Sequence, residues 1–183
     1  MSYQNIVVYC GSHFGNNPSY AAFAGELGEA LGKGGFHMIY GGGTVGLMGI
    51  TADAAMAAGG QVTGVIPEVF IAKEQAHRGI TKLLEVENMT IRKQKMIDMG
   101  DAFIILPGGL GTLEELADTA NHYHIYNDEN HQPPIIIVNL DGIYDGLIAQ
   151  MKAWEDAGFI EKDDWRNIHF CQDLEEVMDI LQA

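Results

Sequence analysis

The stretch from Ala102 to Glu115, AFIILPGGLGTLEE, decides how the rest of the chain is read. Five apolar residues in a row, Ala102 to Leu106, predict a strand buried on both faces, and Pro107 ends it. Three glycines follow, Gly108, Gly109 and Gly111, before the pattern turns helical and runs to about Ile125. A strand that passes through a glycine-rich bend into a helix presents free backbone N–H groups at the positive end of a helix dipole, which suits a phosphate. Thr112 adds a hydroxyl at the helix start.

The same succession recurs outward from this stretch. Ile6 to Cys10 is a short apolar run closed by Gly11, and Pro18 and Ser19 introduce a helix with Phe23, Leu27, Ala30 and Leu31 on one side, ended by Gly34 and Gly35. Phe36 to Tyr40 repeats the strand signal, enters GGGTVGLMG and leads to an alanine-rich helix from Ile50 to Ala58. Gln61 to Ile66 reads as a third strand stopped by Pro67, and Glu68 to Gly79 as a loop with one helical turn. Lys82 to Val86 is a short strand before a helix from about Met89 to Met99. Beyond the glycine stretch come a strand at Ile135 to Val138, a helix at Tyr144 to Ala157, an unassigned Trp165 to Cys171, and an amphipathic helix from Asp173, its cap, to Leu181. The polar segment Tyr126 to Pro134 is the expected variable loop. Strands alternating with helices predict one α/β domain over residues 1–183, with a doubly wound parallel sheet. In such sheets a ligand sits beyond the carboxyl ends of the strands, where the strand order reverses.

Composition narrows the function. Ten basic against twenty-five acidic residues give a net charge of −15, which repels nucleic acid and anionic membranes. Six of the ten cations nevertheless fall between Lys73 and Lys95, suggesting a local anion site. Two cysteines far apart predict neither a disulfide framework nor a zinc site, and the start of the chain lacks the features of a signal peptide; a cytoplasmic protein is expected. The seven histidines show no metal spacing.

Several candidate residues carry two readings. Gly41, Gly43 and Gly46 match G-x-G-x-x-G, but after the second strand, so a tight turn competes with ligand contact. Thr112 and Glu115 have the spacing of a capping box, worth about 1 kcal/mol to a helix, a reading that competes with phosphate contact at Thr112. Met89, Arg92, Lys93 and Met96 share one helical stripe, so two cations lie with apolar residues and need an anionic partner, either a phosphate or a carboxylate such as Glu115 or Glu74. Leu47, Met48 and Ile50 read as core.

Taken together, YCGS at Tyr9 to Ser12, YGGGTVGLMG at Tyr40 to Gly49, GVIP at Gly64 to Pro67, Met89 with Arg92 and Lys93, PGGLGTLEE, and NLDGIYD at Asn139 to Asp145 resemble the Lonely Guy (LOG) family. Its members are cytokinin riboside 5′-monophosphate phosphoribohydrolases, often mislabelled lysine decarboxylases. The resemblance implies a Rossmann-like homodimer, needing no cofactor or metal, that hydrolyses a nucleoside 5′-monophosphate to free base and ribose 5-phosphate. It assigns catalysis to Arg92 and Glu115, and substrate contacts to Glu74, Lys93, Gly108, Gly109, Gly111 and Thr112, with Ser12, Gly42 and Asn121 from the matching loops and helix.

This chain departs from the family at Thr90 and Ile91, at Asn121, His122 and His124, and at His13, where a serine is frequent. The phosphate and ribose machinery is retained, while the region expected to touch the base has changed. The competing expectations are a binding protein for a phosphorylated cofactor, such as a molybdenum cofactor carrier, and a single-stranded DNA binder, which the charge opposes.

Overall fold

The computed structural model describes residues 3–71, 75–126 and 132–183, apart from the side chains of residues 162 and 163. The elements in order are β1 (Asn5–Tyr9), α1 (Pro18–Lys33), β2 (His37–Tyr40), α2 (Gly46–Ala57), β3 (Gln61–Pro67), α3 (Glu68–Ile71), β4 (Lys82–Val86) and α4 (Met89–Met99). They continue with β5 (Ala102–Ile105), α5 (Leu110–Ile125), β6 (Ile135–Val138), α6 (Asp145–Asp156), β7 (Ile168–Cys171) and α7 (Leu174–Gln182). All seven strands are parallel, in the order β4-β3-β2-β1-β5-β6-β7. The doubly wound α/β domain expected from the sequence is therefore the observed one. The order reverses between β1 and β5, whose loops separate to opposite sides and open a crevice.

Alternation along the strands builds two cores. Ile6, Val8, Met38, Tyr40, Ile104 and Ile136 face α1, α2 and α7, where Phe23, Leu27, Leu47, Ala52 and Val177 receive them. Val7, Tyr9, Ile39, Phe103, Ile105 and Ile137 face the other way, onto Met96 of α4, Leu116 of α5 and Tyr144. Burial on both faces explains why these strands read as unbroken apolar runs. Side-chain capping starts three helices: Asn17 accepts from Ser19 N–H at 3.0 Å, Asn88 from Ile91 N–H at 3.0 Å and Asp173 from Glu176 N–H at 3.0 Å.

Helices α1 and α2 pack through small residues. A Cβ on Gly28 would run into the Thr51 carbonyl, and one on Gly32 would lie 2.6 Å from Ala55 O. That is why an alanine-rich α2 suffices to cover its share of the sheet. The helix begins at Gly46, not at Ile50, because Leu47 N–H is fixed to Gly11 O at 3.1 Å; the glycines there hide the first turn from a propensity reading. The unassigned Trp165 to Cys171 segment contributes β7, and the single turn expected after Pro67 is α3. Most of the variable loop anticipated from Tyr126 to Pro134 lies outside the described residues.

Replacing Gly28 by leucine should separate α1 from α2 and lower the unfolding free energy by about 1–3 kcal/mol, read from the midpoint of urea denaturation.

Candidate active site

Three loops are tied together at the crevice. Gly11 N–H donates to Pro107 O at 3.0 Å, Leu106 N–H to Tyr9 O at 2.9 Å, and Gly11 O accepts from Leu47 N–H at 3.1 Å. The exit of β5 is also held from below. Tyr144 donates its hydroxyl to Leu106 O at 2.7 Å, and Asn139 accepts from Tyr144 N–H at 2.7 Å while donating to Asp145 at 2.8 Å. The NLDGIYD segment thus acts as a brace beneath the PGG turn.

The resulting cavity has a volume of about 900 Å³, ample for a nucleotide-sized ligand. Ser12, Gly108, Gly109, Gly111, Thr112, Arg92 and Glu115 line it together. Helix α5 is entered through Gly109, and the first intrahelical bond runs from Leu113 N–H to Gly109 O at 3.0 Å. Helix geometry therefore leaves the amides of Leu110, Gly111 and Thr112 without a carbonyl inside α5. A side chain on Gly109 or Gly111 would meet open space, whereas one on Gly108 would strike Thr112 Oγ1. The first two glycines keep the cavity clear for a ligand, and Gly108 makes room for Thr112.

The two readings of Glu115 are resolved by where α5 starts. With the helix capped at Gly109, Thr112 lies inside the first turn, and Glu115 turns to Arg92, its Oε1 2.7 Å from Nη2. No capping box forms. Glu115 is 6% exposed and Arg92 9% exposed, so the pair is buried at the cavity wall. Arg92 also donates Nε–H to Val65 O at 3.2 Å and lies against Met89. Its guanidinium fills the place where a Cβ on Gly41 would be, which is what the glycine after β2 is for. Desolvation lifts the Glu115 carboxyl above its ordinary range, with the Arg92 charge opposing that shift. Burial likewise pushes the Cys10 thiol far up, so this cavity residue is not a thiolate nucleophile.

The remaining expected contacts fall elsewhere. Lys93 pairs with Glu114 at 2.7 Å and Asp118 at 2.6 Å and does not line the cavity. Arg78 lies 3.7 Å from Glu85; three of the six clustered cations, Arg78, Arg92 and Lys93, thus have carboxylate partners. Gly42, at φ 75°, packs against Ile66 and Leu83 instead of the cavity, and its carbonyl accepts from His77 N–H at 2.8 Å. Asn121 lines a separate apolar cavity with His124, Trp154 and Trp165, since six residues at about 100° each put it on a different face of α5 from Glu115. Glu74 lies outside the described residues. Met48, expected in the core, is half-buried at the cavity wall. Phe14, Tyr20 and Ile143 line the same cavity and were missed; the two aromatics that follow the first strand, Phe14 in the loop and Tyr20 in the first turn of α1, were the available signal.

Comparison with known proteins settles the family. Residues 48–181 match a family model described as "Possible lysine decarboxylase". The cytokinin riboside 5′-monophosphate phosphoribohydrolase of Rhodococcoides fascians is 38% identical over 173 residues, covering 94% of this chain and 86% of that protein. The chain belongs to the Lonely Guy family. The Mycobacterium tuberculosis member of the same name is 38% identical over 158 residues, 85% of this chain and 81% of that one. Among solved structures, the molybdenum cofactor binding protein of Rippkaea orientalis superposes with a TM-score of 0.73 at 20% identity, covering 99% of this chain and 96% of that chain. At that identity the likeness is one of fold.

Gly41→Ala should drive the Arg92 guanidinium off Glu115. The expected loss is about 10²-fold in kcat/KM, with a folded protein by circular dichroism.

Proposed function

We propose that this protein hydrolyses the N-glycosidic bond of a nucleoside 5′-monophosphate, AMP or an N6-substituted AMP of the cytokinin type, releasing the free base and ribose 5-phosphate. The observation that carries this reading is the buried Arg92–Glu115 pair on the wall of the cavity that Gly109, Gly111 and Thr112 also line. The names of the relatives agree with it.

The 5′-phosphate takes the open amides at the start of α5, where backbone dipoles favour an anion. This sets the ribose over the first turns of α5, towards Glu115. As the base departs, positive charge grows at the anomeric carbon; the Glu115 carboxylate stabilises that charge and takes a proton from the attacking water. Arg92 fixes the carboxylate and opposes its protonation in a desolvated site. Lys93, turned to Glu114 and Asp118, is not placed as an amine for decarboxylation chemistry; it supports the α4–α5 contact that carries Arg92.

The same reading includes a homodimer and a cytoplasmic location. Ile91, Leu110 and Leu113, exposed apolar residues near the N-terminal ends of α4 and α5, support association of two copies beside the cavity. Both cysteines are free, in keeping with a reducing compartment. No described helix is long and apolar enough to cross a membrane.

Incubation with AMP should yield adenine and ribose 5-phosphate, and Glu115→Gln should reduce turnover by at least about 10³-fold while nucleotide still binds in calorimetry. A carrier of a phosphorylated cofactor would instead retain ligand with no base released from any monophosphate.

The pH profile supplies a second check. Glu115 acts as the carboxylate, and its folded value is raised, so the acid limb of kcat/KM should lie above the ordinary carboxylate range. The sign for stability is opposite: a raised folded value favours the native state at pH below the unfolded value, and that contribution is lost as pH rises through the folded one. Glu115→Gln should therefore remove part of the stability decrease seen on raising the pH, measured by urea titration at several pH values.

A further inference from the structure

His13, at a position where the family resemblance has a frequent serine, lies in the loop after β1 and lines the cavity with Arg92, Thr112 and Glu115. Its backbone is held by both neighbouring loops. Gly11, two residues before, is bonded to Pro107 O and to Leu47 N–H. Gly46, at φ 59°, is pressed against the same loop: a Cβ there would collide with the Ser12 carbonyl and His13 N. These contacts hold the His13 backbone at the rim of the cavity, with the residue itself exposed.

The two ring nitrogens have different surroundings. Nδ1 lies 3.2 Å from Ser12 Oγ. Either atom can donate in that contact; in the doubly protonated ring Nδ1–H donates to the hydroxyl oxygen, which leaves Nε2–H as the proton available to a ligand.

Resting on the phosphoribohydrolase reading, we propose that His13 is a further catalytic residue, the general acid that protonates the departing base. The anomeric C1′–N9 bond breaks and its electron pair stays with the base. The imidazolium of His13 passes its Nε2 proton to a ring nitrogen of that base and becomes neutral, still donating Nδ1–H to Ser12. Water bonds to C1′, and its proton goes to the Glu115 carboxylate. Exchange through solvent then moves that proton from Glu115 back to His13. The sum is nucleotide plus water giving neutral base plus ribose 5-phosphate. A serine at this position could hold a base by a hydrogen bond but could not supply a proton near neutral pH.

The test compares the full-length enzyme and His13→Ala on AMP and on N7-methylated AMP, whose base leaves as neutral 7-methyladenine without gaining a proton. On AMP the variant should lose about 10²-fold or more in kcat/KM, chiefly in kcat. The ratio of the methylated to the unmethylated rate should rise at least about tenfold, the part of that loss due to proton transfer. His13→Asn, which keeps a hydrogen-bond donor but no transferable proton, should behave as His13→Ala does. Equal losses on both substrates, or recovery by His13→Asn, would overturn the proposal in favour of a merely positioning role. If the wild-type enzyme releases base from neither substrate, the phosphoribohydrolase reading itself falls; wild-type turnover with an unaffected His13→Ala rejects the histidine alone.

Discussion

The arrangement of the cavity depends on one ion pair, Arg92 with Glu115 at 2.7 Å. Each ion alone would be costly at its depth, and removal of either partner from such a pair typically costs about 3–5 kcal/mol. The pair therefore fixes how α4 and α5 sit against the sheet. Val65 O on β3 takes a further guanidinium proton, and Gly41 beyond β2 leaves the space the guanidinium needs. Two strands and two helices converge on a single side chain. Desolvation still lifts the Glu115 carboxyl, so the arrangement is a poor way to gain stability. It is a good way to hold a carboxylate where charge develops at an anomeric carbon.

The site lies where it does because of topology. The order reverses between β1 and β5, so the loops that follow them part and leave a crevice. Both loops are then locked: to each other through Gly11 and Pro107, and to the β6–α6 segment through Tyr144 and Leu106. On the proposed reading, an acidic chain thereby gains a place for an anion without a basic surface. On that reading its attraction comes from the amides opening α5, whereas Arg92, Lys93 and Arg78 are turned to carboxylates. This explains how a net charge of −15 coexists with a phosphate-binding reading.

Much of the fold was legible because burial on both sheet faces produces uninterrupted apolar runs. The strands Lys82–Val86 and Ile135–Val138 and the helix Met89–Met99 lie where the pattern placed them. The start of α2 was not legible, since Gly46 and Gly49 look like loop and only the bond from Leu47 to Gly11 makes them helix. At the site, the spacing of Met89, Arg92 and Met96 announced an inward cation, but Lys93 on the same stripe found its carboxylates at the protein surface. The cavity aromatics Phe14 and Tyr20 follow no period, and Asn121 belongs to a face of α5 that spacing from Glu115 separates from the cavity.

The sequence by itself determined the alternation of strands and helices, the glycine turn into α5 and the need of Arg92 for an anion, because periodicity, backbone freedom and charge burial are local properties. Tertiary structure alone decided which anion Arg92 took and where the Glu115 carboxylate points. Thr112 and Glu115 fit a capping box until α5 is seen to start at Leu110, capped by Gly109. Once Thr112 lies within the helix, its side chain is no longer at the cap, and α4, carried over the sheet face by the β4 to β5 crossover, presents Arg92 at 2.7 Å from the carboxylate instead. No spacing within one helix encodes that contact, because it depends on how two helices dock on a common sheet.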